Sequence, residues 1–223
     1  MKFKKKIGLI FLLINLFVLN VSASTRKIYG GSRSSNHIYL TFDDGYSAKN
    51  TEQILNTLKE KNVPACFFIE GEFLTQNPIL VNRIANEQTL ANHTMSHKDI
   101  TQMSDSTFKK DILKFESEVL RITGKPVAKY FRPPMGRINK SKLQILNDLN
   151  YSVFLWEVCY YDYVYYDDRG VDYALNQILK QTKSGSIILM HTMTKSNVDV
   201  LPIAIDKLRE KGFEFASLSE LVN

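Results

Sequence analysis

The chain has 223 residues, 44% hydrophobic and 23% charged, a balance that fits one globular domain and excludes a disordered or fibrous chain. Its formal charge is +6, but Lys2, Lys4, Lys5 and Lys6 stand near the start with no acid beside them, and setting them aside leaves +2. That small excess forms no basic stripe, which excludes nucleic acid as a partner and suits an anionic cell-wall polymer only weakly.

In chain order, residues 1–23 read as a signal peptide. The four lysines form a basic n-region, Ile7 to Val18 is apolar, and Val21-Ser22-Ala23 has the small-residue pattern of a cleavage site. The apolar run is short for the ~20 residues a membrane span needs. Cleavage after Ala23, a secreted or cell-envelope protein and no stable membrane span are therefore expected. Residues 24–36, rich in Ser, Gly and Arg, read as a flexible leader, and residues 37–223 as one domain.

From His37 onwards strand and helix signals alternate. Strands are expected at His37–Phe42, Ala65–Ile69, Tyr130–Arg132, Ser152–Trp156, Ser186–Met190 and Phe213–Ala216. Helices are expected at Thr51–Glu60, Asn77–Glu87, Phe108–Ile122, Lys140–Leu149, Tyr173–Thr182 and Val198–Lys211. Near-continuous apolar strands between amphipathic helices predict a parallel α/β architecture, closing as a distorted or incomplete (β/α) barrel. Functional groups in barrels sit at the C-terminal strand ends. Cys66 and Cys159 lie in apolar runs and are expected as buried free thiols, and a monomer is expected.

The strand ends carry five clusters. Thr41-Phe42-Asp43-Asp44-Gly45 holds two adjacent carboxylates, which repel unless a cation shares the site; alone it reads equally well as a turn. His93 and His97, four residues apart, can face one way on a helical turn and bind one metal. Arg132-Pro133-Pro134-Met135-Gly136 is a rigid turn able to aim a backbone N–H at an oxyanion. Asp162-Tyr163 follows the strand ending at Trp156, and His191 closes the run Ser186 to Met190.

In this order the clusters resemble the five motifs of the NodB-type polysaccharide deacetylases, carbohydrate esterase family 4, over nearly all of residues 37–223. The resemblance implies a divalent metal, first of all zinc, held by Asp44, His93 and His97. It implies Asp43 as general base on the hydrolytic water and His191 as general acid for the leaving amine. Arg132 would hold and tune Asp43, and Asp162 would orient His191 or Arg132. The Met135 backbone N–H would face the oxyanion, and Leu189 and Trp156 would line the pocket for the acetyl methyl. The implied substrate is a glycan strand of peptidoglycan.

Three positions depart from the family pattern. Met135 stands where many members have Tyr, Tyr163 where Trp is usual, and Cys159 where an Asp often precedes the Asp-aromatic pair. The segment His191 to Asn197 and the Tyr-rich insert from Tyr160 to Tyr166 resemble the muramic-acid deacetylases of spore formers, which prepare muramic δ-lactam in the spore cortex. That branch has Arg at the Met135 position, and Arg137 is the residue expected to meet a muramic lactyl carboxylate in its place. The alternatives are an N-acetylglucosamine deacetylase of peptidoglycan or chitin, an O-acetyl xylan enzyme, and a non-catalytic carbohydrate-binding protein on the same fold.

Overall fold

The computed structural model describes residues 27–222. The signal-peptide reading of residues 1–23 lies outside the described residues. Seven strands run in one curved sheet: β1 Lys27–Ile28, β2 His37–Asp44, β3 Ala65–Ile69, β4 Thr89–Asn92, β5 Tyr130–Phe131, β6 Ser152–Phe154 and β7 Ile187–His191. Their order is β1-β6-β5-β4-β3-β2-β7, all paired parallel, and β8 Glu214–Phe215 pairs with the start of β2. Helices α1 Ala48–Lys61, α2 Gly71–Gln76, α3 Pro78–Glu87, α4 Asp105–Thr123, α5 Lys140–Asp148, α6 Val171–Gln181 and α7 Lys195–Glu210 connect them.

The local chemistry explains the element ends. Ser47 caps α1 by accepting from the Asn50 N–H, and Ser104 caps α4 by accepting from the Thr107 N–H. Gly124, at φ 69°, ends α4 in the left-handed conformation that favours glycine. In β2 successive residues alternate faces. Leu40 and Phe42 pack in the large cluster under the helices, whereas Tyr39 packs in the smaller cluster inside the barrel with Cys66, Phe68 and Phe154.

The sheet does not close strand to strand. Between β1 and β7, the two ends of the sheet, the gap is bridged by irregular backbone: Val158 pairs with Ile188, Leu189 N–H donates to Val158 O at 2.9 Å, and Gly31 N–H donates to Gly185 O at 2.7 Å. This is the distorted, incomplete (β/α) barrel expected from the sequence.

Four expectations need correction. Residues 27–36 are not a free leader, because Lys27–Ile28 pairs with Val153 and Phe154, and Arg33 is bound to Ser184 O and Glu157. The sequence reading contains no β4 and no α2; β4 is only Thr89–Asn92, and the pairing of Leu90 with Phe67 rather than an apolar run makes it a strand. The sixth strand stops at Phe154, so Trp156 lies beyond it. Cys66 is a buried free thiol, but Cys159 is an exposed one.

Candidate active site

Parallel register brings the functional residues to one level. Asp43 pairs with His191, Asp44 with Ile69, Ile69 with Asn92, and Asn92 with Phe131. The ladder runs one step further: Glu70 N–H donates to Asp44 O at 3.1 Å, His93 N–H to Ile69 O at 3.0 Å, and Arg132 N–H to Asn92 O at 3.1 Å. The carboxyl ends of five strands thus open on one cavity of about 480 Å³.

Asp43, Asp44, His93, His97, Met135, Trp156, Tyr163, Leu189 and His191 all line this cavity. Arg132 and Asp162 lie buried behind it as partners of lining residues. Arg137 is the exception. It does not line the cavity; its exposed guanidinium pairs with Asp99 at 3.0 Å. The turn explains this: Met135 (φ 56°) and Gly136 (φ 67°) both take the left-handed conformation, and Arg137 N–H closes onto Pro134 O. Gly136 also lies against Trp156, where an added Cβ would come within 3.1 Å of the indole.

The adjacent aspartates diverge because they occupy alternate faces of β2. Asp43 points inward, where its Oδ1 accepts from Arg132 Nη1 at 2.8 Å. The guanidinium is fully buried, stacks 4.1 Å from the Phe68 ring, and donates through Nη2 to Thr41 Oγ1 at 2.9 Å. Burial alone would raise the Asp43 pKa, but the charges of Arg132, His93 and His191 outweigh it and hold the carboxyl below its ordinary range. Asp44 points to the helix side and accepts from Thr51 Oγ1 at 2.9 Å and Thr192 Oγ1 at 2.7 Å. Among the described residues no cation pairs with it. Burial pushes its pKa up to about 7, against the two threonine bonds and with help from Glu70 and Asp43.

Asp162 is the fixed support of His191 rather than of Arg132. Its Oδ1 lies 2.7 Å from His191 Nδ1, and its Oδ2 accepts from the His191 N–H at 2.9 Å and from Asn197 Nδ2 at 2.6 Å. Burial works to lower the pKa of the ring, but the Asp162 bond and the charges of Asp162 and Asp43 outweigh it and hold it above the ordinary histidine value.

His93 and His97 come together, though not on a helix. They flank a tight loop after β4 in which Thr94 (φ 74°) and His97 (φ 47°) are left-handed, with ring centroids 5.0 Å apart. His93 Nδ1 lies 2.8 Å from Arg132 O, an acceptor, so Nδ1 carries the hydrogen and the Nε2 lone pair faces the cavity, 3.5 Å from Asp43 Oδ2. Burial drives the His93 pKa down to about 4 and lowers that of His97. Both rings are thereby favoured neutral, as metal ligation requires. A buried carboxylate short of positive charge beside two neutral imidazoles fits a first-row divalent cation such as zinc. Among the described residues no three such side chains stand round a common point; Asp44 is hydrogen-bonded to Thr51 and Thr192.

The sequence reading gives several residues here no place in the site. Glu70, Tyr46, Cys159, Tyr160 and Met193 also line the cavity, and Thr51, Thr192 and Asn197 hold its carboxylates. Only the position of Glu70, directly after an apolar strand, carries a signal in the sequence.

A parallel barrel whose mouth gathers an arginine-bound aspartate, an aspartate-bound histidine and an Asp/His/His donor set defines a hydrolase of the acid–base type. Residues 30–154 match the family model for polysaccharide deacetylase, and the chain belongs to that family. The peptidoglycan-N-acetylmuramic acid deacetylase PdaA of Bacillus subtilis is 33% identical over 195 residues, 87% of this chain and 74% of that one. The solved structure of PdaA, a family 4 carbohydrate esterase, is similar with a TM-score of 0.84 at 32% identity, covering 87% of this chain and 84% of the other. A peptidoglycan-N-acetylglucosamine deacetylase of Bacillus cereus is also 33% identical, over 86% of this chain and 70% of its own length.

Proposed function

We propose that the protein hydrolyses the N-acetyl group of an amino sugar in peptidoglycan, with N-acetylmuramic acid as the preferred residue. One observation carries the reaction. Two opposed ion pairs, Asp43–Arg132 and His191–Asp162, face the same cavity. This favours the ionised form of Asp43, able to accept a proton, and the protonated form of His191, able to give one.

A divalent cation held by Asp44, His93 and His97, zinc being the first candidate, would supply Lewis acidity and a lowered pKa for the attacking water. Asp43 removes the proton from that water as its oxygen attacks the acetyl carbon. The Met135 backbone N–H, on its left-handed turn, faces the developing oxyanion. His191 protonates the sugar nitrogen as the C–N bond breaks, leaving acetate and a free amine. Trp156 and Leu189 enclose the acetyl methyl, and Tyr163 flanks His191 with ring centroids 5.8 Å apart.

The muramic preference rests on the two segments that resemble that branch. They meet behind the acid: Tyr160 Oη donates to Asn197 Oδ1 at 2.7 Å, and Asn197 Nδ2 donates to Asp162 and to His191 O at 2.6 and 2.7 Å. Arg137, held by Asp99 outside the cavity, is not part of this support. The reaction then belongs outside the membrane, in the cell envelope and, for muramic residues, the spore cortex, carried out by a monomer. The test is mass analysis of glycans after incubation with amidase-treated peptidoglycan and, separately, an N-acetylglucosamine oligomer. Acetyl loss confined to muramic residues is expected. Loss from glucosamine residues would keep the reaction and overturn the preference.

A further inference from the structure

Glu70 sits at the carboxyl end of β3, one residue beyond the strand, inside the cavity that holds Asp44, His93 and His97. It is only 8% exposed. Among the described residues its ion-pair partner is His97, whose Nδ1 lies 3.8 Å from Glu70 Oε2. Its position is not accidental slack. An added Cβ at Gly45 would fall 2.0 Å from Glu70 Oε1 and 2.3 Å from its Cδ, so the carboxylate is seated on the bare backbone of the Asp-Asp-Gly turn. The backbone fixes its root as well, through Glu70 N–H to Asp44 O at 3.1 Å and Gly71 N–H to Thr94 O at 3.0 Å.

A histidine that ligates through one ring nitrogen is held in orientation when the other donates to an acceptor. His93 already has such an acceptor in Arg132 O. Among the described residues the His97 ring has none within hydrogen-bond distance, and Glu70 is the group placed to serve. Resting on the proposed Asp44, His93 and His97 metal site, we propose that Glu70 is a positioning residue of the metal centre, accepting the His97 Nδ1–H so that Nε2 of that ring is presented to the cation. Closing the 3.8 Å separation to a hydrogen bond needs a side-chain movement of about 1 Å. When ionised, the same carboxylate adds a negative charge beside the site, which strengthens binding of any divalent ion.

The test measures metal binding directly, by competition of Co²⁺ and Zn²⁺ against a chromophoric chelator, on the intact chain and on Glu70→Ala, Glu70→Gln and Asp44→Ala. Removing such an outer partner costs roughly 10–100-fold in metal affinity, and Glu70→Ala is expected to weaken both ions by that factor. Glu70→Gln, which keeps an acceptor oxygen, should lose less. In the Co²⁺ protein the hyperfine-shifted Nδ1–H resonance of His97 should persist in wild type and Glu70→Gln and vanish into solvent exchange in Glu70→Ala. Unchanged thermal melting of the metal-free variants separates this from a folding defect. If Asp44→Ala binds metal poorly while Glu70→Ala binds like wild type, the Glu70 role is overturned and the metal site stands. If Asp44→Ala binds as tightly as wild type, or wild type binds neither ion, the site itself is wrong and Glu70 falls with it. A Glu70→Gln loss equal to that of Glu70→Ala, with the resonance unchanged in all three, would also overturn the positioning role.

Discussion

Asp162 grips His191 at two points, with Oδ1 at 2.7 Å from the ring Nδ1 and Oδ2 at 2.9 Å from the backbone nitrogen of the same residue. The bidentate hold sets both the ring orientation and its charge. Asp162→Asn removes the charge that raises the His191 pKa and can present an N–H where an acceptor is needed. A folded-state pKa above the ordinary value means that His191 stays protonated to higher pH than a free histidine and loses its proton as pH rises through that value. The alkaline limb of the rate profile should therefore move to lower pH in Asp162→Asn, with kcat down about 10²–10⁴-fold. Acetate release followed across pH 5–10 checks this; an unmoved limb would disconnect Asp162 from the acid.

Arg132 is buried without exposure and is paired with Asp43. In Arg132→Met the aspartate is left as a buried charge with its main cation gone, which costs about 3–5 kcal/mol. For a chain of this size that is a drop of roughly 6–20 °C in Tm. Without the guanidinium the Asp43 pKa rises above its unfolded value, so the variant's deficit is full at neutral pH and shrinks as pH falls into the carboxylate range. Thermal melts at pH 7 and pH 4.5 give the comparison.

Asp44 has the opposite balance. With its pKa pushed up to about 7 by burial, Asp44 in the folded metal-free protein binds a proton that the unfolded chain has released, and its own contribution to stability falls as pH rises from about 4 to 7, a contribution Glu70 shares and His93 opposes. Asp44→Asn should abolish that slope and be more stable than wild type at pH 8 without metal, by an amount on the order of a few kcal/mol at most. Added zinc should raise the wild-type Tm, since it binds the folded state, and leave the variant's unchanged. The two melting curves, with and without zinc, are the measurement.

The two cysteines should separate cleanly under alkylation. Cys66 is buried, and burial holds its thiol well above the usual range, whereas Cys159 is exposed on the cavity wall. One thiol per native chain should react with iodoacetamide, and Cys159→Ser should remove that reaction. Modification at Cys159 should also slow deacetylation, because the adduct projects into the substrate cavity. Two reactive thiols in the folded protein would contradict the placement of Cys66.

What was legible in the sequence were groups standing at strand ends. Asp43, Asp44 and His191 follow or close apolar runs, His93 and His97 show by their four-residue spacing, and parallel register brings these positions to one mouth. The opposite aims of Asp43 and Asp44 also follow from the two-residue period of a strand. Partner choice was not legible. Asp162 lies 29 positions from His191, and Asn197 lies 35 from Asp162; they meet where the segment after β6 bridges to β7 through Val158 and Ile188, a tertiary fact. That Arg137 stands outside the cavity was not legible, because the left-handed pair Met135–Gly136 turns the chain away and nothing in a Pro-Pro-Met-Gly string fixes that turn at Met. The leader was misread because Lys27–Ile28 gains its strand from the open edge of β6, a tertiary fact. Glu70 was passed over because a lone glutamate after a strand resembles an ordinary loop residue until Gly45 is seen beneath it.

The central claim is that Asp43 drives hydrolysis of a sugar N-acetyl group at this mouth. Its most direct test is parallel quantitation of acetate and newly formed free amine from amidase-treated peptidoglycan, using zinc-loaded wild type and zinc-loaded Asp43→Asn with metal content measured in both. Equimolar acetate and amine from wild type, with a fall of about 10²–10⁴-fold in Asp43→Asn at equal zinc content, is the predicted result. No acetate from metal-loaded wild type, or an Asp43→Asn rate equal to wild type, would contradict it.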